Sequence, residues 1–474
     1  MLFPENPAAS ERLKVCLDPE MNNYPKLLRS IYANRRWICC GGVVMEGVAT
    51  GGAIRNLGGE SLALGATRGA GDIPDRTRVV DLDLGAAPDM MTSMHRAEAA
   101  MGDLPTWARE KIDAFDSTGD AHAIMPVWGS LPNVAGRRVF GARDPRWMAL
   151  EDKTRADAVW DAAGVTRAPS RIVDLTRDAL LACWDELDRG DGVVVAFDNS
   201  DGWHGAAEGT RWIRSRDRID DALDGSAKTA RAMPFLEGLP CSIHGWVVGG
   251  TVVTLRPVEM IVLRKRGTAR FHYAQAASFW DAPADLTEEM RNAARAVGQY
   301  LRDSVGYRGV FTVDGIATEQ GFLPTELNPR FGAALNVLTR AIPDFPTYLL
   351  HLASVEQDLP GLDPALLEDD ILRASTEHRA GSGLAMSTIV REPDHIQLDY
   401  RDGAWAIADR EKGDANALVG PNPVGSIVLF RMNRSPMAPG APVGGCIADA
   451  LAFLGKHWGL GLDDLEAAPA AKSQ

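Results

Sequence analysis

The sequence contains no apolar run approaching the roughly 20 residues that cross a bilayer, so no transmembrane helix is expected. Cysteine is scarce, with 6 in 474 residues, and no CxxC pair occurs. That argues against a disulfide framework and against a zinc module. Basic runs are missing as well. The nearest is Arg264-Lys265-Arg266, and the formal net charge is -14. A chain of that charge repels nucleic acid and anionic membranes, so neither is expected as a partner. There is no internal repeat and no low-complexity segment. The opening residues, Met1-Leu2-Phe3-Pro4-Glu5-Asn6, have neither a basic n-region nor an apolar h-region. They do not read as a signal peptide, and the cytoplasm is the expected location.

What is present is an ordinary globular composition, 45% hydrophobic and 24% charged. A chain of this length predicts about two to four domains. Arg36-Trp37-Ile38-Cys39-Cys40, Ser61-Leu62-Ala63-Leu64-Gly65 and Val79–Leu84 read as strands, with a helix from Ala49 to Leu57. Strands alternating with helices predict a parallel, Rossmann-like layer. Gly41-Gly42 and Gly51-Gly52 invite a nicotinamide-dinucleotide reading, but their spacing is not G-x-G-x-x-G. Tight turns explain them more simply. Cys39 and Cys40 are expected to face opposite sides of their strand.

From about residue 145 the pattern changes. A helical stretch opens at Leu150 and ends at Gly164, and Pro169–Val173 and Gly192–Phe197 read as strands. The glycine-rich loop Asn199–Thr210 follows, then the block Met233-Pro234-Phe235-Leu236-Glu237-Gly238. Thr251–Val262 reads as a hairpin. A helix is expected from Asp285 to Ser304, with Asp285 and Glu288 as a capping box and Gly306 past its end. A late helix is expected near Ile447–Leu454, and the tail from Glu466 is expected to be loose.

The chemistry concentrates in Phe311-Thr312-Val313-Asp314-Gly315 and Glu326-Leu327-Asn328-Pro329-Arg330. Strand periodicity puts Glu326 and Asn328 on one face. A turn at Glu319-Gln320-Gly321 would fold the strands together so that Asp314 joins them. Magnesium takes hard oxygen ligands, commonly one or two carboxylates plus substrate phosphates. Arg330 can offer a planar fork to a phosphate. A surface hairpin with solvated acids is the plainer alternative.

These two segments, over roughly residues 145–350, resemble the magnesium-binding end of the ATP-grasp superfamily. The resemblance implies an α/β fold with residues 1–145 as a Rossmann-like pre-ATP-grasp domain. Residues 146–232 would be the N-lobe with a phosphate lid, 233–380 the C-lobe with the metal site, and 381–474 a small C-terminal β-rich region. It implies ATP and two magnesium ions as cofactors, with manganese an admissible substitute. Asp314, Glu326 and Asn328 would be the metal ligands, and Arg330 would contact the transferred phosphate. Lys153 matches the lysine at the entry to the nucleotide fold. Ser200, Gly202 and Gly205 lie in the lid, and Pro234, Phe235, Leu236 and Glu237 form the interlobe hinge that reads adenine. Two departures stand out. The strand before the lid carries Ala196 where a second lysine is expected, and Pro240 replaces an acid that often holds the ribose. Lys228 or Arg231 could compensate for the lysine.

The activity implied is carboxylate–amine ligation through an acyl-phosphate. The substrates would be a small carboxylate and an amine, in the first instance two amino acids, as in γ-glutamyl or dipeptide ligases of natural-product pathways. Arg256, Glu259 and Arg264 are a candidate substrate trio, with a structural ion-pair ladder as the alternative. The nine histidines show no metal-like pair, and no nucleophilic triad is needed. His204 reads as a lid residue. A small-molecule kinase, an NAD-binding oxidoreductase and a non-catalytic nucleotide binder are the rival readings. A homodimer is compatible with the chain's size.

Overall fold

Strands Arg36–Gly41, Glu60–Gly65, Arg78–Asp81 and His122–Ile124 form a parallel sheet in the spatial order third, second, first, fourth. The computed structural model describes residues 23–75, 77–223, 225, 227–339, 345–410 and 412–471; Met1–Asn6 lies outside them. Helix Val44–Asn56 crosses over between the first two strands. A Cβ on Gly51 would lie 2.6 Å from the Ser61 hydroxyl, so glycine here permits close helix–strand packing. Cys40 packs with Ile38, Leu62 and Met101 on one side of the sheet. Cys39 packs with Tyr32, Phe140 and Leu352 on the other. The alternation of a strand puts the two thiols on opposite faces, and all five described cysteines are buried and free.

A second sheet, antiparallel, holds Arg171–Asp174, Thr229–Pro234, Val193–Phe197 and Thr210–Ile213 in that order. Helix Arg177–Leu187 covers one face through Leu180, Cys183, Trp184 and Leu187. The other face, carrying Val194, Ala196, Arg231 and Met233, is turned toward the third sheet.

That third sheet runs from Gly321–Asn328 through Gly309–Thr318, Leu239–Val248, Val258–Lys265 and Phe271–Ala277. It continues without a break into Gly381–Ser387, because Ala277 pairs with Gly381, so the C-terminal strands extend the C-lobe sheet. Helix Ala284–Val305 packs on it through Met290, Ala294, Val297 and Leu301. Gly306 ends that helix at φ 65°. The expected capping box does not form: Pro283 holds the N-cap position with no side-chain bond, and Asp285 lies inside the first turn.

Two further expectations change. Residues Trp147, Val159 and Trp160 pack into the C-lobe core beside Leu301 and Phe311, not into the N-lobe core. The tail is not loose as far as Ala471. Leu465–Ala467 pairs with Val258–Lys265, and Ala467, Ala468 and Ala471 are buried. Small apolar side chains at those positions make docking of the tail favourable. No described helix is long and apolar enough to cross a membrane.

Candidate active site

The hairpin Gly309–Thr318/Gly321–Asn328 turns at residues 319–320, and Gly321 takes a φ of 106° there. Pairing sets Asp314 opposite Glu326, and on its other side opposite Ser242. Thr312 and Asn328 form the adjacent row. Same-face neighbours in adjacent rows lie within side-chain reach, so Asp314, Glu326 and Asn328 converge. Ser242 donates its hydroxyl hydrogen to Asp314 Oδ1. Asn328 Nδ2 donates to Asp314 Oδ2 at 2.8 Å, and Arg330 Nη2 donates to Asn328 Oδ1 at 2.8 Å.

Asp314 keeps a face open to the cleft but is hemmed in by protein. Loss of hydration, and then the charge of Glu326, push its carboxyl up to about 7. Two acids crowded together, one of them hemmed in by protein, disfavour their both being charged without a cation beside them. Among the described residues no three His, Cys, Asp or Glu side chains converge as a metal cluster. Two carboxylates and an amide oxygen fit an ion that completes its shell with phosphate oxygens and water, as magnesium does.

Lys153 reaches this wall from the opposite side. Its ammonium donates to Glu326 Oε1 at 3.1 Å, and its side chain is 5% exposed. Asp152 fixes the turn that delivers it, accepting from Thr154 N–H at 2.9 Å and from the lid residue Asn199 N–H at 3.3 Å. Beyond Asn328, Arg330 Nε lies 3.4 Å from Glu151 Oε2.

The cleft narrows into an apolar slot toward the hinge. Ala168, Met233 and Leu323 form its buried cluster, with Val194 and Leu236 packed against them. Pro234 ends the N-lobe strand, opposite Val193. Phe235 N–H is taken by Gly192 O at 2.9 Å, and its ring stacks on Trp212 at 4.0 Å. Glu237 receives two hydrogen bonds from Arg264, at 2.7 and 2.9 Å. Among the hinge side chains, Leu236 alone joins the slot's apolar cluster.

The lid residues divide. The Ser200 hydroxyl donates to Asp198 Oδ1 at 2.7 Å and accepts Lys228 N–H at 3.1 Å, so it braces the base of the loop. These bonds, with those from Thr229, hold Asp198 at about 2 against the opposing effect of burial. Gly202, at φ 122°, lies against the His95 ring. Gly205 has only the Trp203 ring within contact of a built Cβ. Trp203 stacks on Trp128 at 6.0 Å and meets His95 edge-on at 5.0 Å, so the lid touches the N-terminal domain. His204 bonds Asp201 at 2.9 Å.

The place of the absent lysine is also clear. Ala196 pairs directly with Arg231. Arg231 is 1% exposed, donates to Asp157 Oδ1 at 2.8 Å and reaches Thr325 O, in strand Gly321–Asn328, at 3.3 Å. Lys228 is exposed.

The candidate substrate trio does not assemble. Arg256 bonds Asp281 at 2.6 Å and the carbonyls of Trp280 and Ser375. Arg264 is held by Glu237. Glu259 is fully buried and accepts Val443 N–H at 2.7 Å and Gly444 N–H at 2.8 Å, at the start of helix Gly444–Trp458. Each of the three is engaged in its own structural contacts. Ser242, Glu151 and Arg143 were not singled out from sequence, because only the folded pairing brings them beside Asp314 and Arg330.

No family model and no curated protein matches the sequence. Solved structures do match. The chain superposes on pyruvate carboxylase from Rhizobium etli with a TM-score of 0.53 at 14% identity, covering 85% of this chain and 36% of that one. It superposes on the biotin carboxylase domain of the 2-oxoglutarate carboxylase from Hydrogenobacter thermophilus with a TM-score of 0.52 at 12% identity, covering 84% and 86%. The chain has the ATP-grasp fold. The L-amino acid ligase from Bacillus licheniformis also matches, at 12% identity over 93% and 99% of the two chains, with a TM-score of 0.49.

Proposed function

We propose that the protein is an ATP- and magnesium-dependent carboxylate–amine ligase that joins two amino acids, or an amino acid and a small amine. The observation that carries this reading is the convergence of Asp314, Glu326 and Asn328, with Arg330, on one wall of the cleft, met from the opposite side by Lys153. Asp314, Glu326 and Asn328 would hold the metal, whose chemistry there is charge neutralisation and Lewis-acid polarisation of phosphate oxygens. The slot bounded by Val194, Met233, Leu236 and Leu323 is apolar, suited to a purine ring. Lys153 and Arg330 supply fixed positive charge on either side of the carboxylates. Their part is positioning, since bringing a carboxylate to a polyphosphate means bringing two anions together. Support comes also from the carboxylase neighbour, whose structure holds MgADP and bicarbonate.

The chemical sequence follows. A substrate carboxylate oxygen attacks the γ-phosphorus, ADP leaves, and an acyl-phosphate forms. An amine then attacks the acyl carbon, loses a proton, and inorganic phosphate departs. The nicotinamide alternative fares worse. Glu46 Oε2 accepts Gly42 N–H at 2.7 Å, placing a carboxylate at the helix start where a dinucleotide's phosphates would need free amides.

The test is incubation with ATP, magnesium and a pooled amino-acid mixture, read by mass spectrometry and phosphate release. A ligase yields ADP, free phosphate and an amide in equal amounts. A phosphorylated product without free phosphate would make it a kinase. ATP binding with no turnover would make it a non-catalytic binder.

A further inference from the structure

One carboxylate beside the metal wall is shared by two guanidiniums. Arg143 Nη2 is ion-paired with Glu151 Oε1, and Arg330 Nε approaches Glu151 Oε2. Arg143 comes from the segment that links the N-terminal domain to the ATP-grasp core, far in sequence from Arg330. Its Nε is buried and has no hydrogen-bond partner, a state that buried donors rarely keep. The nearby Glu98 does not relieve it, since Oε1 of Glu98 is already taken by the N–H and hydroxyl of Ser130. Burial and the charge of Arg330 push Arg143 down to about 10, as expected when two cations are held together.

Position separates this pair from the apolar slot. Arg143 and Arg330 line one crevice with Met125, Phe331 and Tyr348, on the N-terminal-domain side of the metal row. The apolar slot lies on the other side, under the N-lobe sheet. An anion bound by the pair therefore sits beyond the metal row from the adenine end, next to the phosphate that would be transferred. Two forks set around one carboxylate match carboxylate geometry, and Glu151 is a chain carboxylate that displays the match.

Resting on the ligase reading, we propose that Arg143 and Arg330 clamp the carboxylate of the acid substrate, with Glu151 exchanging its place for that carboxylate. The acid of the ligase reading is thus engaged by Arg143, not by Arg256 or Arg264.

The experiment is ligand-observed saturation-transfer NMR on the full chain with MgADP and a pool of the standard amino acids and short dicarboxylates. Wild type is compared with Arg143→Met and Arg143→Lys. The expected result is saturation of at least one acid in wild type, weakened roughly 50-fold in Arg143→Met and partly restored in Arg143→Lys. MgADP signals should persist in all three and report the fold. Acid binding equal in wild type and Arg143→Met, or absent from wild type while MgADP binds, overturns the clamp. Loss of MgADP together with the acid in a folded Arg143→Met makes the pair a phosphate site and also overturns it. Absence of MgADP binding in wild type would instead sink the nucleotide reading itself.

Discussion

Lys153 and Glu326 are 173 positions apart in the chain and meet at 3.1 Å across the cleft. The contact joins the helical entry segment to the hairpin Gly309–Thr318/Gly321–Asn328 and gives the buried ammonium its partner. An ammonium this buried needs a negative partner.

Glu326→Gln is expected to abolish ATP-driven turnover, by at least about 1,000-fold, as loss of a group that organises transition-state charge does. The strand pairing does not depend on the charge, so the fold should remain. ADP release and circular dichroism on the same sample check both halves. Near-full activity would show that the metal assignment is wrong.

Asp314 sets a pH dependence. Its folded-state carboxyl is raised to about 7, above an unfolded value near 3.9. Its contribution to stability without metal is therefore complete below the unfolded value and is lost as pH rises through about 7. Thermal melts between pH 5 and 8 should show that loss, and Asp314→Asn should remove it. Magnesium needs the carboxylate, so stabilisation by added magnesium should be small at pH 5.5 and grow toward pH 8.

Glu259 receives two helix-start amides while fully buried. Glu259→Ala leaves those donors unpaired and is expected to cost about 2–4 kcal/mol of stability. Denaturant unfolding measures this. Nucleotide affinity should not change in the folded fraction, which contrasts with what a substrate-binding role would require.

Ala196 pairs directly with Arg231 on the neighbouring strand of the N-lobe sheet. Placing a cation directly opposite another destabilises a sheet, so Ala196→Lys alone should lower the melting temperature by several degrees. The double variant Ala196→Lys/Arg231→Thr should recover part of that loss. A lysine tolerated beside Arg231 at no cost would mean that the two side chains do not share the cleft face.

Trp203 holds the lid against Trp128 and His95. Trp203→Ala is expected to raise protease cleavage within residues 199–210 severalfold, because aromatic contacts of this kind contribute about 0.5–1.5 kcal/mol. Limited proteolysis followed by mass mapping measures it.

Local pattern accounts for much of this molecule. The alternation in Val310–Gly315 and Glu326–Asn328, the turn between them, the helix ending at Gly306 and the opposed faces of Cys39 and Cys40 were all legible in sequence. Each depends on neighbours within a few residues, where strand and helix periods dictate direction. What tertiary structure alone decided depends on register between distant strands. Ser242 meets Asp314 because of how Leu239–Val248 pairs. Arg231 faces Ala196 by the register of another sheet. Arg256, Glu259 and Arg264 look like a cluster along one hairpin, yet each finds a partner elsewhere, because a buried charge takes whichever opposite group or amide the packing brings within reach. The residues from Asp314 to Arg330 are thus written in one continuous stretch, while the charges that face them come from segments whose meeting is settled only by folding.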